Sequence, residues 1–159
     1  MQYKTTKELE VAEFATELIA EHLDPDLWAF TIDRRSRRTH GWCEYNRITG
    51  GGRIAVAAFT IAHGDDDEII DTVTHEIAHG IVGNGEGHGP RWVATHKRLG
   101  GTGERYARAI PGAPKGKWRA DCQTCGTEGI AYRWRLNANM RTAYHTRCGE
   151  TLTWIDLQA

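Results

Sequence analysis

Between Val82 and Pro90 the chain places glycine at every second position, Gly83, Gly85, Gly87 and Gly89, and no α-helix continues through such a stretch. The residues just before it have the opposite character. Ile70, Val73, Ile77 and Ile81 recur at three and four, which predicts an amphipathic helix with a buried stripe, stopped at residue 83. Thr74-His75-Glu76-Ile77-Ala78-His79-Gly80 lies in that helix. Residues four apart share a face, so His75 and His79 can present two imidazoles to one metal ion, off the apolar stripe and toward a cleft. Glu76 is rotated beside the pair and can reach a water on the metal, the H-E-x-x-H arrangement of zinc hydrolases.

A catalytic zinc commonly takes three protein ligands and keeps one position open. His88, nine residues after His79 and at the end of the glycine turn, is the foremost third ligand. His96, Glu86 and Glu104 are the alternatives. His96 falls mid-helix beside Lys97 and Arg98 and is expected to face solvent, and Glu104 sits in glycine-rich surroundings that read as loop. No oxyanion-stabilising side chain can be named from spacing, although Arg105 and Tyr106 lie nearby in the chain.

The remaining elements follow from periodicity and punctuation. Thr5 to Glu8 fits a capping box, and Val11, Phe14, Ala15, Leu18 and Ile19 predict a helix over residues 7–23, broken by Asp24-Pro25-Asp26. Strands are expected at residues 28–32, from 42 onward, and at 53–59, with Arg34, Arg35, Arg37 and Arg38 in a basic turn and Gly50-Gly51-Gly52 in another. Asp65 to Glu68 suit the positive end of the metal-binding helix. Pro90 suits the first turn of a helix over residues 91–99, ended by Gly100-Gly101. Residues 100–117 read as linker, and short strands are expected near 130–136, 141–145 and 151–155.

Cys122-x-x-Cys125 and His145-x-x-Cys148 have the spacing of two zinc-ribbon knuckles, a closed four-ligand site with no place for a substrate water and therefore structural. Cys43 stands apart as an expected buried strand residue. The net charge of -1 conceals an asymmetry: residues 1–88 hold 8 Lys+Arg against 16 Asp+Glu, and residues 89–159 hold 12 against 5. Trp118, Tyr132, Trp134, Tyr144 and Trp154 lie among Lys115, Lys117, Arg119, Arg133, Arg135, Arg141 and Arg147. Such interleaving suits single-stranded DNA, whose bases stack on aromatic faces while cations meet the phosphates; equally, alternate aromatics can pack a small core. Trp118, Arg119, Tyr132, Arg133, Trp134, Arg135 and Arg147 are the DNA-contact candidates. No run approaches a membrane span, and acidic residues interrupt the first 25, unlike a signal peptide, so an intracellular, cytoplasmic setting is expected.

The succession His75-Glu76-x-x-His79, Gly87-His88-Gly89-Pro90 and Trp92 closely resembles the SprT-like metalloprotease family, which includes Spartan-type proteases of DNA-protein crosslinks. Arg38 to Tyr45 and Arg53 to Ala57 resemble that family's paired strands, and the likeness runs from Val11 to Ile155. The resemblance implies catalytic zinc on His75, His79 and His88 with Glu76 as general base. It also implies a structural zinc on Cys122, Cys125, His145 and Cys148, with His145 standing where family ribbons usually carry cysteine. The reading is an α+β chain: a zincin-like metalloprotease domain over 1–112, built of helix, short antiparallel sheet, metal-binding helix and further helix, then a small β zinc ribbon over 113–159. Its expected partners are a protein substrate and single-stranded DNA, with no membrane, and the chain is read as a monomer. The alternatives are a zinc peptidase of one partner protein without a DNA role, and a nucleic-acid-binding module whose H-E-x-x-H site is non-catalytic.

Overall fold

Thr5 caps the first helix, α1 (Thr6–His22), by accepting the Glu8 amide at 3.1 Å. Glu8 does not return the favour. Its carboxylate, 6% exposed, instead accepts the Lys4 amide and both arms of the Arg34 guanidinium at 2.7 and 2.9 Å, tying α1 to the basic turn that follows the first strand. The computed structural model describes residues 3–83, 85–113 and 115–158, and the chain divides into two units, Met1–Ala113 and Pro114–Ala159.

In the first unit, β1 (Trp28–Asp33), β2 (Gly41–Tyr45) and β3 (Gly52–Ala57) form one sheet in the order β1-β3-β2. The expectation of an antiparallel sheet is corrected here: β2 runs antiparallel to β3, but β1 runs parallel to it. The reason is burial. Ile54, Ala55, Val56 and Ala57 are fully buried, so β3 takes the centre, and residues 34–40 are long enough to carry the chain across to the far edge before the hairpin returns it.

The third strand ends two residues earlier than expected, because Ala58–His63 turns into a short helix, α2, that buries Thr60 and Ile61. The metal-binding helix, α3 (Asp66–Val82), starts with a complete capping box between Asp65 and Glu68 and stops at Gly83, whose φ is 82°. Its buried stripe is Ile69, Val73 and Ile77; Ile70, expected in that stripe, is 39% exposed. A helix, α4 (Pro90–Arg98), follows with Pro90 in its first turn. The core joins α1 (Val11, Ala15, Ile19), the sheet (Trp28, Phe30, Ile54, Val56) and α3.

The second unit is a three-stranded antiparallel sheet in the order β5-β4-β6, made of β4 (Trp118–Cys122), β5 (Thr127–Arg133) and β6 (Thr153–Asp156). Two expectations change. Residues 118–122, for which no strand is expected, form the central strand, and residues 138–141 form a four-residue helix, α5, at the point where a strand is expected to begin; among the described residues a Tyr144–Thr151 bridge is what remains of that strand. No helix among the described residues is long and apolar enough to cross a membrane.

Glu8 generates a pH-dependent prediction. The Arg34 hydrogen bonds hold its carboxyl at about 2 against an ordinary 4.5, so its ionised form stabilises the fold above pH 4.5 and that contribution vanishes as the pH falls toward 2. Glu8→Gln is expected to remove about 1–2 kcal/mol at pH 7, the partner Arg34 being one-third exposed, and almost nothing near pH 2. Urea unfolding at both pH values checks this; an equal deficit at both would count against it.

Candidate metal centre

The two helical histidines stand where the four-residue spacing puts them, and the chain brings the third to them. Gly83, Gly85 and Gly87 all have positive φ (82°, 115° and 57°), a region that costs a residue with a Cβ and costs glycine nothing. The turn therefore folds back over the end of α3. His88 Nε2 lies 3.2 Å from His79 Nε2 and 3.1 Å from His75 Nε2, and the ligand atoms of all three lie within 4.8 Å of one another.

This donor set fits zinc. Nitrogens about 2.05 Å from a tetrahedral zinc are themselves about 3.3 Å apart. Burial, followed by the neighbouring imidazoles, lowers His75 to about 3 and His79 to about 4, and burial also lowers His88, so all three rings are neutral near pH 7. The neutral ring is the one that binds metal. Three such nitrogens cannot all satisfy one another through hydrogen bonds, since each imidazole has a single N–H.

The rings rest on Trp92. Its side chain is fully buried and meets His75 and His88 at centroid distances of 4.5 Å and His79 at 5.3 Å, while its Nε1 donates to the His75 carbonyl at 3.4 Å. His96 is corrected from solvent-facing to fully buried. α4 is short and turns Trp92, Thr95 and His96 inward together. His96 Nε2 lies 3.2 Å from both the Asp71 carbonyl and Thr74 Oγ1, and its Nδ1 accepts the Gly103 amide at 3.2 Å. Among the described residues, the three-histidine cluster includes neither His96, Glu86 nor Glu104.

Glu76 is buried, and burial raises its carboxyl to about 8 in the metal-free protein; a cation beside it would draw that value down. Two cavities meet at this side chain. One, of about 330 Å³, is lined by His75, Glu76, Gly41, His40, Arg105 and Tyr106 among others; the second, of about 530 Å³, is lined by Glu76, His79, Cys43, Tyr45 and the turn glycines. Gly41 on β2 lies against the carboxylate: a Cβ there would sit 2.9 Å from Glu76 Cγ and 2.8 Å from the Ala55 carbonyl. Cys43, expected to be buried, is half-buried, and burial pushes its thiol up to about 12. Trp92 enters the sequence reading only through the family resemblance and His96 only as an alternative ligand, and nothing in the chain's spacing points to their packing roles or to Gly41.

Residues 9–111 match the SprT-like family over well more than half of the chain. The chain belongs to the SprT-like family. Membership marks residues 9–111 as a metallopeptidase-like domain; the match ends at residue 111, short of the Ile155 limit read from sequence. No curated protein and no solved structure matches the chain.

Beyond the SprT-like match, the second unit gathers Cys122, Cys125, His145 and Cys148 within 4.8 Å. Cys122 Sγ lies 3.4 Å and Cys125 Sγ 3.9 Å from Cys148 Sγ, and His145 Nδ1 lies 3.3 Å from Cys125 and from Cys148. A tetrahedral zinc with sulfur at about 2.3 Å sets sulfurs about 3.8 Å apart, so this group also suits zinc. Among the described residues, the buried apolar core beside it is Ala120, Cys122 and Leu152, with Ile130, Ala131, Ala143 and Trp154 partly buried against it.

The DNA-contact candidates divide. Arg119 is spent on Asp121 at 2.8 Å, with Glu128 at 3.5 Å. Trp154 packs against the small core and donates to the Met140 carbonyl at 2.7 Å. Lys115 lies 5.3 Å over Tyr132 and Lys117 lies 5.4 Å over Trp118; Arg133 and Trp134 are half-buried, and Arg135 and Arg147 are exposed. Residues 114–159 carry 7 Lys+Arg against 4 Asp+Glu, so much of the basic excess read from sequence falls on residues 91–108 instead.

Two outcomes are expected. Trp92→Ala should cost about 3–5 kcal/mol of stability, read by thermal or urea unfolding. It should also weaken metal binding at the histidines by about 10- to 100-fold in a chelator competition. Chelation should unfold residues 114–159 while the α3 core persists, because so small an apolar core cannot hold the ribbon alone; amide exchange of β4 against that of α3 reads the difference.

Proposed function

We propose that this SprT-like chain is a zinc-dependent endopeptidase of zincin-like architecture, with a zinc ribbon that directs it to proteins bound or crosslinked to DNA. The observation that carries this reading is the convergence of three neutral imidazoles beside a buried carboxylate that borders two cavities. Zinc held by His75, His79 and His88 would polarise the scissile carbonyl and acidify a water. Glu76 accepts the proton of the attacking water and passes it to the leaving amine nitrogen. Its buried setting favours this role, because a carboxyl taken out of bulk water keeps a higher affinity for protons.

The substrate is an extended polypeptide. β2 is an edge strand, and its residues line both cavities on either side of Glu76. An edge strand offers unpaired backbone groups to a peptide lying beside it. Cys122, Cys125, His145 and Cys148 hold a structural zinc, and a reducing, intracellular setting keeps their thiols available. Single-stranded DNA is the nucleic-acid partner. Tyr132 with Lys115 pairs a stacking face with a cation, Lys117 beside Trp118 is ion-paired with Asp156 at 3.0 Å, and exposed Arg135 and Arg147 add charge for phosphates. The chain acts as a monomer and needs no membrane.

Glu76→Gln should leave zinc content unchanged and lower proteolysis of an unfolded protein by about 10²- to 10⁴-fold. Single-stranded DNA should stimulate the wild type, and the stimulation should fade with salt. Proteolysis indifferent to DNA would favour a peptidase of one partner protein; a Glu76→Gln protein that retained full biological activity would favour the non-catalytic module.

A further inference from the structure

The cavity that opens onto His75 and Glu76 is also lined by two arginines, Arg38 and Arg105, and by Tyr106. They are not equivalent. Both arginine side chains are exposed, and no contact among the described residues orients the guanidinium of Arg38. Arg105 is carried by a segment fastened to the metal-binding helix and its neighbour. The Thr102 amide donates to Asp71 Oδ1 at 2.7 Å, the Gly103 amide to His96 Nδ1 at 3.2 Å, and the Glu104 amide to Thr102 Oγ1 at 3.1 Å. Asp71 stands one helical turn before His75, and fully buried His96 packs at a centroid distance of 5.4 Å from the His75 ring. The Arg105 guanidinium then lies over the Tyr106 ring, 5.1 Å from its centroid.

Resting on the peptidase reading above, we propose that Arg105 is the electrostatic catalyst of this site, the group that stabilises negative charge developing on the scissile carbonyl oxygen. The requirement for that role is a cation placed before the reaction begins, because a donor already oriented costs no reorganisation when charge appears. Arg105 answers to it: it is a cation bordering the cavity that holds Glu76, its guanidinium lies over the Tyr106 ring, and the backbone just before it is fastened to Asp71 of α3 and His96 of α4. Asp71 and His96 are positioning residues in this arrangement. The Tyr106 ring positions the guanidinium by its face, and its hydroxyl is not required.

The test compares Arg105→Met, Arg105→Lys and Tyr106→Phe in the zinc-loaded full chain, using proteolysis of an unfolded protein and the affinity of a phosphinic peptide, whose anionic tetrahedral phosphorus imitates the reacting carbon. Arg105→Met should lower kcat on the order of 10²-fold with KM little changed. It should weaken phosphinate binding by a similar factor while zinc content and melting temperature stay at wild-type values. Arg105→Lys should recover part of both losses, and Tyr106→Phe should cost far less than Arg105→Met. An Arg105→Met protein with unchanged kcat and phosphinate affinity overturns the proposal, as does a Tyr106→Phe loss as large as that of Arg105→Met, which would assign the role to the hydroxyl. A wild type that neither cleaves protein nor binds phosphinate overturns the peptidase reading itself, and Arg105's role with it.

Discussion

One buried indole determines the geometry on which the site depends. Trp92, fully buried on α4, packs against all three histidine rings at centroid distances of 4.5 to 5.3 Å. His88 lies just before α4 and Trp92 in its first turn, with Pro90 between them setting the backbone's entry angle. Packing the indole therefore delivers His88 to the helical pair. The same apolar packing that stabilises this region thus also aligns the ligand rings.

Around that indole the polar groups form a second layer of support. His96, Asp71 and Thr74 link the interior of α4, the face of α3 and the 100–104 segment through hydrogen bonds of 2.7 to 3.2 Å. Among the described residues no buried side-chain nitrogen or oxygen lacks a partner. A buried imidazole used this way is expensive unless both ring nitrogens are engaged, and here both are. On the opposite side, Gly41 supplies a surface without a side chain against which the Glu76 carboxylate lies.

The helical part of this arrangement is legible from the chain because its signals are local. A four-residue histidine spacing, an acidic start and alternating glycines each act within a few residues, so α3, its stop and the return of His88 follow from them. Contacts between distant segments are less readable. Nothing local in Trp28–Asp33 says that it pairs in parallel with β3, since that depends on which strand the fold buries on both sides. His96, flanked by Lys97 and Arg98, looks solvated until α4 is laid against α3. Ile69 and Ile70 are adjacent and equally apolar, and only the packing of the sheet chooses between them. In the second unit, the ligand spacing of Cys122 gives no sign of its place at the end of a central strand.

The division of the three histidines between a capped helix and a nine-residue return has a consequence for how a cation is held. His75 and His79 belong to one rigid element, so a metal that meets either finds the other already beside it. From there His88 is a tethered ligand, and a tether this short confers an effective concentration on the order of millimolar or above. Each successive bond is thus intramolecular, and loss of any one leaves the ion between the remaining two with the third close by. Retention of the ion is a property of chain connectivity as much as of bond strength, and lengthening the return between His79 and His88 would shorten the ion's residence without altering a single ligand.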